Sequence, residues 1–222
     1  MNTFIRLNVT AEGQTEERFV KHTLSEYLAE FNISTSVRCV LTSRDKKKEY
    51  RGGLSNYEKA KRDILQWLKE DSNADARFTT MFDLYALPTN FPKFEEAKKC
   101  PPYERVQLLE EAFRDDIGDE RFIPYIQLHE FETLILSDPE ALLLEYFEHQ
   151  RAVDQLVALL EEKKNAELIN TEQAPSKRIL ALIPEYDKCS VGVDVVNKIG
   201  IGKLKECCNH FREWLQRLED MQ

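Results

Sequence analysis

The 222-residue sequence predicts an α/β fold: a mainly parallel sheet with flanking helices and a helical C-terminal part. Three observations carry that prediction. Short runs of strand character alternate with longer segments whose apolar residues have helical spacing. The strand-like runs end in turns or acidic residues, and the last third of the chain has helix signals only. Phe4-Ile5-Arg6-Leu7-Asn8-Val9 alternates apolar and polar side chains and stops at Ala11-Glu12-Gly13, as a strand entering a turn does. Thr15-Glu16-Glu17 suits a helix N-terminus, and Val20, Leu24, Tyr27, Leu28 and Phe31 follow on one face. Ser36 to Thr42 reads as a second strand. A basic, glycine-containing loop separates it from a helix with Tyr57, Ala60, Ile64, Trp67 and Leu68 on one side. Phe78 to Phe82 is a third strand running into Asp83. Parallel sheets gather their sites at the carboxyl ends of strands, where Glu12 and Asp83 both lie.

A proline-punctuated loop follows Pro88, then a helix with Val106, Leu109, Phe113 and Ile117 on one side. Phe122 to Leu128 reads as a fourth strand whose Pro124 suits a sheet edge, and it leads into His129-Glu130-Phe131-Glu132. Asp138-Pro139 has the form of an N-cap with proline in the first turn, so a helix is expected from Glu140 to Leu160, broken near His149. Another helix begins at Lys177-Arg178. Leu204, Cys208, Phe211, Leu215 and Leu218 form an apolar stripe on a final helix. The expected division is a sheet domain over 1–138 and a helical extension over 139–222 packed on it.

Lys and Arg total 31 against 40 Asp and Glu, a net charge of −9, with 32% charged and 42% hydrophobic residues. That balance belongs to a folded globular chain and excludes a generic basic DNA-coating protein. No stretch of about 18 apolar residues occurs, and the N-terminus lacks the apolar segment of a signal peptide, so a cytoplasmic location without membrane contact is expected. Five cysteines, odd in number and scattered, suggest neither a disulfide framework nor a zinc ribbon. Gly-x-Gly-x-x-Gly and Walker-type loops are absent, so any ATP chemistry would come from a partner.

Glu12, Asp83, Glu130 and Glu132 all fall where a strand finishes. Carboxylates on rigid elements are what Mg²⁺ (or Mn²⁺) requires for phosphodiester chemistry, although taken singly each reads more readily as a solvated acid, and it is their shared position at strand ends that favours a site. In extended chain Glu130 and Glu132 share a face, and in a helical turn they diverge. Lys177 and Arg178, after Ser176, are either phosphate-holding cations or solvated helix residues. His129 beside the acids is a base, a ligand or a structural histidine. An acidic chain needs a local positive patch to meet phosphates, and the densest is Arg44-Asp45-Lys46-Lys47-Lys48-Glu49-Tyr50-Arg51, with Lys46, Lys47, Lys48 and Arg51 as substrate-guiding candidates.

The Glu12-Gly13 pair after the first strand, Asp83 ending a later one, and the acids beyond resemble the TOPRIM fold of topoisomerases, primases and OLD-type nucleases. Glu12-Gly13-Gln14-Thr15-Glu16, Met81-Phe82-Asp83-Leu84-Tyr85-Ala86-Leu87-Pro88, Gln127-Leu128-His129-Glu130-Phe131-Glu132 and Pro175-Ser176-Lys177-Arg178 resemble a bacterial branch of that group across nearly the whole chain. The resemblance implies a Mg²⁺-dependent nuclease acting on DNA or RNA, with Glu12 as general acid/base or ligand, Asp83 as ligand and Glu130 or Glu132 completing the oxygen set. It also implies an ABC- or SMC-like ATPase partner in anti-phage defence, while a homo-oligomer stays open. The alternative is a non-catalytic module binding such an ATPase or nucleic acid. One departure stands out: TOPRIM proteins commonly carry Asp-x-Asp where this chain has Asp83-Leu84-Tyr85, and Tyr85 reads as a packing residue.

Overall fold

The computed structural model describes residues 4–45, 48–51, 54–169 and 173–221. Its main sheet is parallel throughout. Strands β1 (Ile5–Ala11) and β2 (Ile33–Cys39) pair from Ile5↔Ile33 to Ala11↔Cys39. On the other side of β1, in the order β2-β1-β5-β6, lies β5 (Ala76–Asp83), paired from Arg6↔Ala76 to Ala11↔Met81. The predicted second strand ends earlier than expected, because a separate antiparallel hairpin, β3 (Leu41–Asp45) and β4 (Lys48–Arg51), follows it. The expected basic loop is thus partly strand.

The predicted fourth strand is split in two. β6 (Phe122–Ile123) and β7 (Ile126–Gln127) both run parallel to β5 at the sheet edge, with Pro124 between them. Proline has no N–H for a ladder. The hydroxyl of Thr80 spans the gap, accepting from Tyr125 N at 3.0 Å and donating to Tyr125 O at 2.9 Å.

Helices cover both faces. The first helical passage, α1 (Gln14–Phe19) and α2 (Ser25–Ala29), is joined through a π-helical turn at Val20–Leu24, so the predicted single helix is continuous but locally widened. On the opposite face α3 (Tyr57–Glu70), α4 (Phe94–Ala97) and α5 (Pro102–Ile117) pack on Phe78, Phe82, Phe122 and Ile126. The strand period of two explains the division. Phe78 and Phe82 point into that second core, while Thr79 and Met81 point the other way.

After α6 (Glu132–Ile135) the expected helix from Glu140 becomes two 3₁₀ turns, Pro139–Leu144 and Phe147–His149, before α7 (Gln150–Lys163). Then come α8 (Pro175–Leu182), α9 (Val193–Cys207) and α10 (Asn209–Glu219). The predicted terminal stripe spans two helices, because Cys208 turns extended between them, with Leu204 on α9 and Phe211 on α10. The α10 residue Trp214 is buried with its ring stacked 4.1 Å from Tyr125, and its indole N–H donates to Thr79 Oγ1 at 3.0 Å. The C-terminal helices therefore share one continuous core with β1 and α1.

Candidate functional site

The chain leaves β1 for β2 on one side and later builds β5 on the other, so the carboxyl ends of β1 and β5 lie at the topological switch point, where parallel sheets place their sites. Glu12 and Asp83 face each other there. Glu12 N donates to Met81 O at 3.0 Å, and Asp83 N donates to Glu12 Oε2 at 3.0 Å. Gly13 then caps α1, and Glu16 folds back to accept the Gly13 N–H on Oε2 at 2.9 Å. A Cβ on Gly13 would stand 3.3 Å from that oxygen, so glycine keeps the return path open. Glu16 is thereby buried beside Glu12.

The other wall comes from the exit of β7. His129 adopts φ +66°, a left-handed conformation uncommon outside glycine. Three hydrogen bonds hold it. Its carbonyl accepts from Tyr85 N at 3.0 Å, while its ring nitrogens lie 2.9 Å from Tyr85 Oη and 2.8 Å from Glu167 O. A carbonyl only accepts, so Nε2 carries the proton and Nδ1 receives the Tyr85 hydroxyl. Burial lowers the His129 pKa, which suits this neutral ring. The turn delivers Glu132 to the start of α6, fully buried.

Lys188 reaches in from the far side, at the start of a π-helical turn, Lys188–Gly192. Its Nζ is 3.1 Å from Glu132 Oε2 and 3.4 Å from Asp83 Oδ2. Asp83 Oδ1 and both carboxylate oxygens of Glu132 are buried without a hydrogen bond of good geometry to any described residue, the Lys188 contact of Glu132 being an ion pair. Four acids thus converge on one ammonium. Burial pushes the Glu12 carboxyl up to about 7, with Glu16 and Glu130 adding to the rise against the Asp83 N–H and Lys188. Burial likewise raises Glu16 and Glu132, and raises Asp83 well above the usual carboxylate range with Glu16, Glu12 and Glu132 contributing. Burial alone would lower Lys188, but Asp83 and Glu132 outweigh it and hold the ammonium charged.

Of the acids expected from sequence, Glu12, Asp83 and Glu132 come together here. Glu130 stands at the margin, its Oε2 accepting Ser176 N at 3.0 Å at the start of α8. Of Glu130 and Glu132, the latter lies 3.1 Å from Lys188 Nζ, while Glu130 adds to the rise of the Glu12 pKa from the margin. Lys177 is exposed, and Arg178 is half-buried with its Nε lacking a hydrogen bond among the described residues. Lys46 and Lys47 lie outside the described residues, as do the side chains of Lys48 and Arg51. Tyr85 is 44% exposed; its ring stands edge-on to His129 at 5.2 Å and its hydroxyl engages the same ring. Among the described residues no group of three or more His, Cys, Asp or Glu side chains is arranged to hold a metal ion. The ammonium lies between two of the acids instead.

Sequence reasoning missed Glu16, Lys188 and Tyr186. Glu16 had a signal, since it stands three residues after Gly13 at the start of α1, the position of a capping glutamate. Lys188 had none, being 56 residues beyond Glu132 in a region read as helical packing. Tyr186 is 6% exposed, and Glu132 close to its hydroxyl raises its pKa further after burial. An added Cβ on Gly192 would fall 2.7 Å from that hydroxyl, so the glycine admits it.

Residues 11–219 match the family model described as Domain of unknown function (DUF4276). No curated protein matches the chain. Among solved structures, it is similar to the C-terminal region of the Burkholderia pseudomallei OLD protein, at 15% identity and a TM-score of 0.47, covering 98% of each chain. It is also similar to the C-terminal region of the Xanthomonas campestris pv. campestris OLD protein, at 15% identity and a TM-score of 0.44, covering 98% of this chain and 95% of that one. No helix among the described residues is long and apolar enough to cross a membrane.

Proposed function

The chain belongs to the DUF4276 family, and from its carboxylate site we propose that it is a TOPRIM-like, divalent-cation-dependent phosphodiesterase acting on DNA or RNA. One observation carries the reading: Asp83 Oδ1, at the carboxyl end of β5, and the Glu132 oxygens, at the start of α6, are buried without hydrogen bonds among the described residues, beside Glu12, Glu16 and Lys188. Unpaired anionic oxygens are costly to bury. Oxygen donors on rigid elements, with charge to spare, are the donor set of a hard cation such as Mg²⁺ or Mn²⁺. Glu12, Glu16, Asp83 and Glu132 would hold it, with Glu130 at the margin. When bound, such an ion polarises a phosphoryl oxygen and makes water a better nucleophile.

The remaining chemistry falls to the chain itself. Glu12, whose carboxyl is pushed up by burial in the cation-free site, is the acid proposed to take or return a proton. Lys188 supplies a fixed positive charge for the phosphate that gains charge in the transition state. Arg178 is the better placed of the two cations at α8 for a phosphate contact, being half-buried where Lys177 is exposed. Lys46, Lys47, Lys48 and Arg51 are the proposed guides for the polyanion, and an ABC- or SMC-like ATPase in the cytoplasm the proposed partner, in an anti-phage setting.

The test is cleavage of DNA and RNA with Mg²⁺ or Mn²⁺, with and without a candidate ATPase. Wild type should cleave, while Asp83→Asn and Glu132→Gln should lose at least 100-fold. Equal cleavage by all three, or cleavage unaffected by chelation, overturns the reading. The alternative, a module that binds without cleaving, is favoured by Tyr85 at the position of the second TOPRIM acid. It gains if wild type binds nucleic acid or the ATPase and cleaves neither polymer.

A further inference from the structure

A cavity of about 480 Å³ lies between α5 and α10, and none of Glu12, Asp83, Glu132 and Lys188 lines it. Its buried lining is charged: Glu110 from α5 and His210 from α10. A carboxylate at that depth breaks the apolar stripe of α5, so its partners must account for it. Glu110 Oε1 accepts from Ile126 N at 2.8 Å and stands 2.9 Å from His210 Nε2, while Oε2 has the Arg217 guanidinium at 3.6 Å. One carboxylate oxygen thus ties the first residue of β7 to the first turn of α10.

A second arm leaves the same end of α10. Glu167, in a 3₁₀ turn over Ala166–Leu168, is fully buried. Its carboxylate accepts from His210 N at 3.0 Å, Phe211 N at 3.2 Å and the Tyr103 hydroxyl at 2.8 Å, as an anion at a helix N-terminus does. The carbonyl of the same residue accepts from His129 Nε2 at 2.8 Å. Both arms therefore end at the left-handed turn that walls the acid site: one on the His129 ring, the other on the strand three positions before it. From α5 His210 faces Glu110, with Glu111 and Arg114 on the cavity lining; from the 3₁₀ turn, Glu167; from the sheet edge, the phenol of Tyr125 stacked at 5.3 Å; from its own helix, Glu213 and Arg217. Burial works against the imidazolium, but Glu110 and Glu167 outweigh it and the Arg217 charge. A neutral imidazole still donates to Glu110, through a hydrogen bond roughly half as strong, and the buried carboxylate is left with a guanidinium at 3.6 Å as its counter-ion.

We propose that His210 is a proton-operated clasp: protonated, it holds α10 to Glu110 and the β7 exit, and on losing its proton it loosens the His129 turn. The cavity gives the proton its path to solvent, since the buried Glu110 and His210 line it together with the exposed Gln107 and Arg114. The clasp acts on the wall of the acid site and holds whatever that site binds.

The experiment is amide exchange of the full chain by nuclear magnetic resonance at intervals from pH 6 to pH 9, corrected for intrinsic rates, with the His210 imidazole titration followed in parallel. The Ile126 N–H reads the Glu110 arm, and the Tyr85 N–H, which donates to His129 O, reads the turn. Protection of both should fall about tenfold, the difference between a charged and a neutral hydrogen bond, with the midpoint of the His210 titration, while amides of β1 keep theirs. His210→Gln retains an uncharged donor and should show no such pH dependence at either amide. Protection that falls at Ile126 and stays level at Tyr85 overturns the proposal, because the clasp then does not reach the turn. An equal fall at β1 overturns it as well, because the loss is then one of general stability. A His210 that does not titrate over this range, or a pH dependence that persists in a folded His210→Gln protein, removes the clasp altogether. Glu110→Gln, which removes the charge from the other partner, gives the same test if His210→Gln does not fold, and the wild-type curves decide transmission to the turn by themselves.

Discussion

Replacing Lys188 by Met removes the ammonium from between Asp83 and Glu132 and leaves four neighbouring carboxylates without their cation. Breaking a fully buried ion pair by deleting one partner costs roughly 3–5 kcal/mol. The lysine side chain is 37% exposed, so solvent screening lowers the expected cost to about 2–4 kcal/mol. A chain of 222 residues has an unfolding entropy of roughly 0.5 kcal/mol/K at about 2.1 cal/mol/K per residue. The melting midpoint should therefore fall by about 4–8 °C in metal-free buffer at pH 8. The acids set how that loss depends on pH. The folded-state pKa values of Glu12, Glu16, Asp83 and Glu132 are all raised, so the folded chain holds protons that the unfolded chain has released. Their contribution to stability is complete below the unfolded value of about 4.5, and it is lost as pH rises through the folded values, which for Glu12 is about 7. At pH 5 the protonated acids need the ammonium less, and the gap between wild type and Lys188→Met should shrink. Melting curves by circular dichroism at pH 5 and pH 8 read both quantities. A gap that is the same at both values, or below 1 °C at pH 8, would refute the picture of uncompensated buried carboxylates.

Other consequences follow from the packing. Trp214→Ala should cost about 3–5 kcal/mol, since it empties a fully buried site stacked on Tyr125 and removes the N–H donor to Thr79; Trp214→Phe should cost distinctly less, and equal losses in urea melts would contradict the stacking argument. Thr80→Val leaves the buried Tyr125 N–H without its acceptor and should cost about 1–3 kcal/mol, with faster amide exchange at Tyr125 as the readout. Burial works against the charged form of His210, but Glu110 and Glu167 outweigh it and raise its pKa. Its pair with Glu110 therefore adds stability that is complete below about 6.5 and is lost as pH rises through the folded value. The stability difference between wild type and His210→Gln should narrow from pH 6 to pH 9, and a widening would reverse the sign of the argument. Arg178→Ala should weaken binding of nucleic acid more than Lys177→Ala, measured by salt-dependent affinity, and equal effects would remove the distinction drawn from their burial.

Much of the architecture was legible because it rests on local periodicity. Alternation over Phe4 to Val9 and helical spacing over Tyr57 to Leu68 are written in neighbouring residues, and each appears as read. Misreadings occurred where tertiary contacts override local pattern. Pro124 splits one strand into two because Thr80, 44 residues earlier, supplies the missing hydrogen bonds. The segment after Asp138 has good helix-start signals, yet its first turns close as 3₁₀ helix with Pro139 buried and Ala141 and Leu142 in the shared core.

The candidate site divides in the same way. Sequence by itself determined that Glu12 and Asp83 sit at strand ends of a parallel α/β sheet, because strand period and turn chemistry are local and parallel crossovers bring such ends to one rim. The placing of Glu132 beside Lys188 depended on a left-handed His129. The inclusion of Glu16 depended on a return hydrogen bond to Gly13, and the arrival of Lys188 on the packing of the C-terminal helices. Which charges meet at a buried site is a matter of distances across the chain, and side chains 105 residues apart leave no periodic trace of such a meeting.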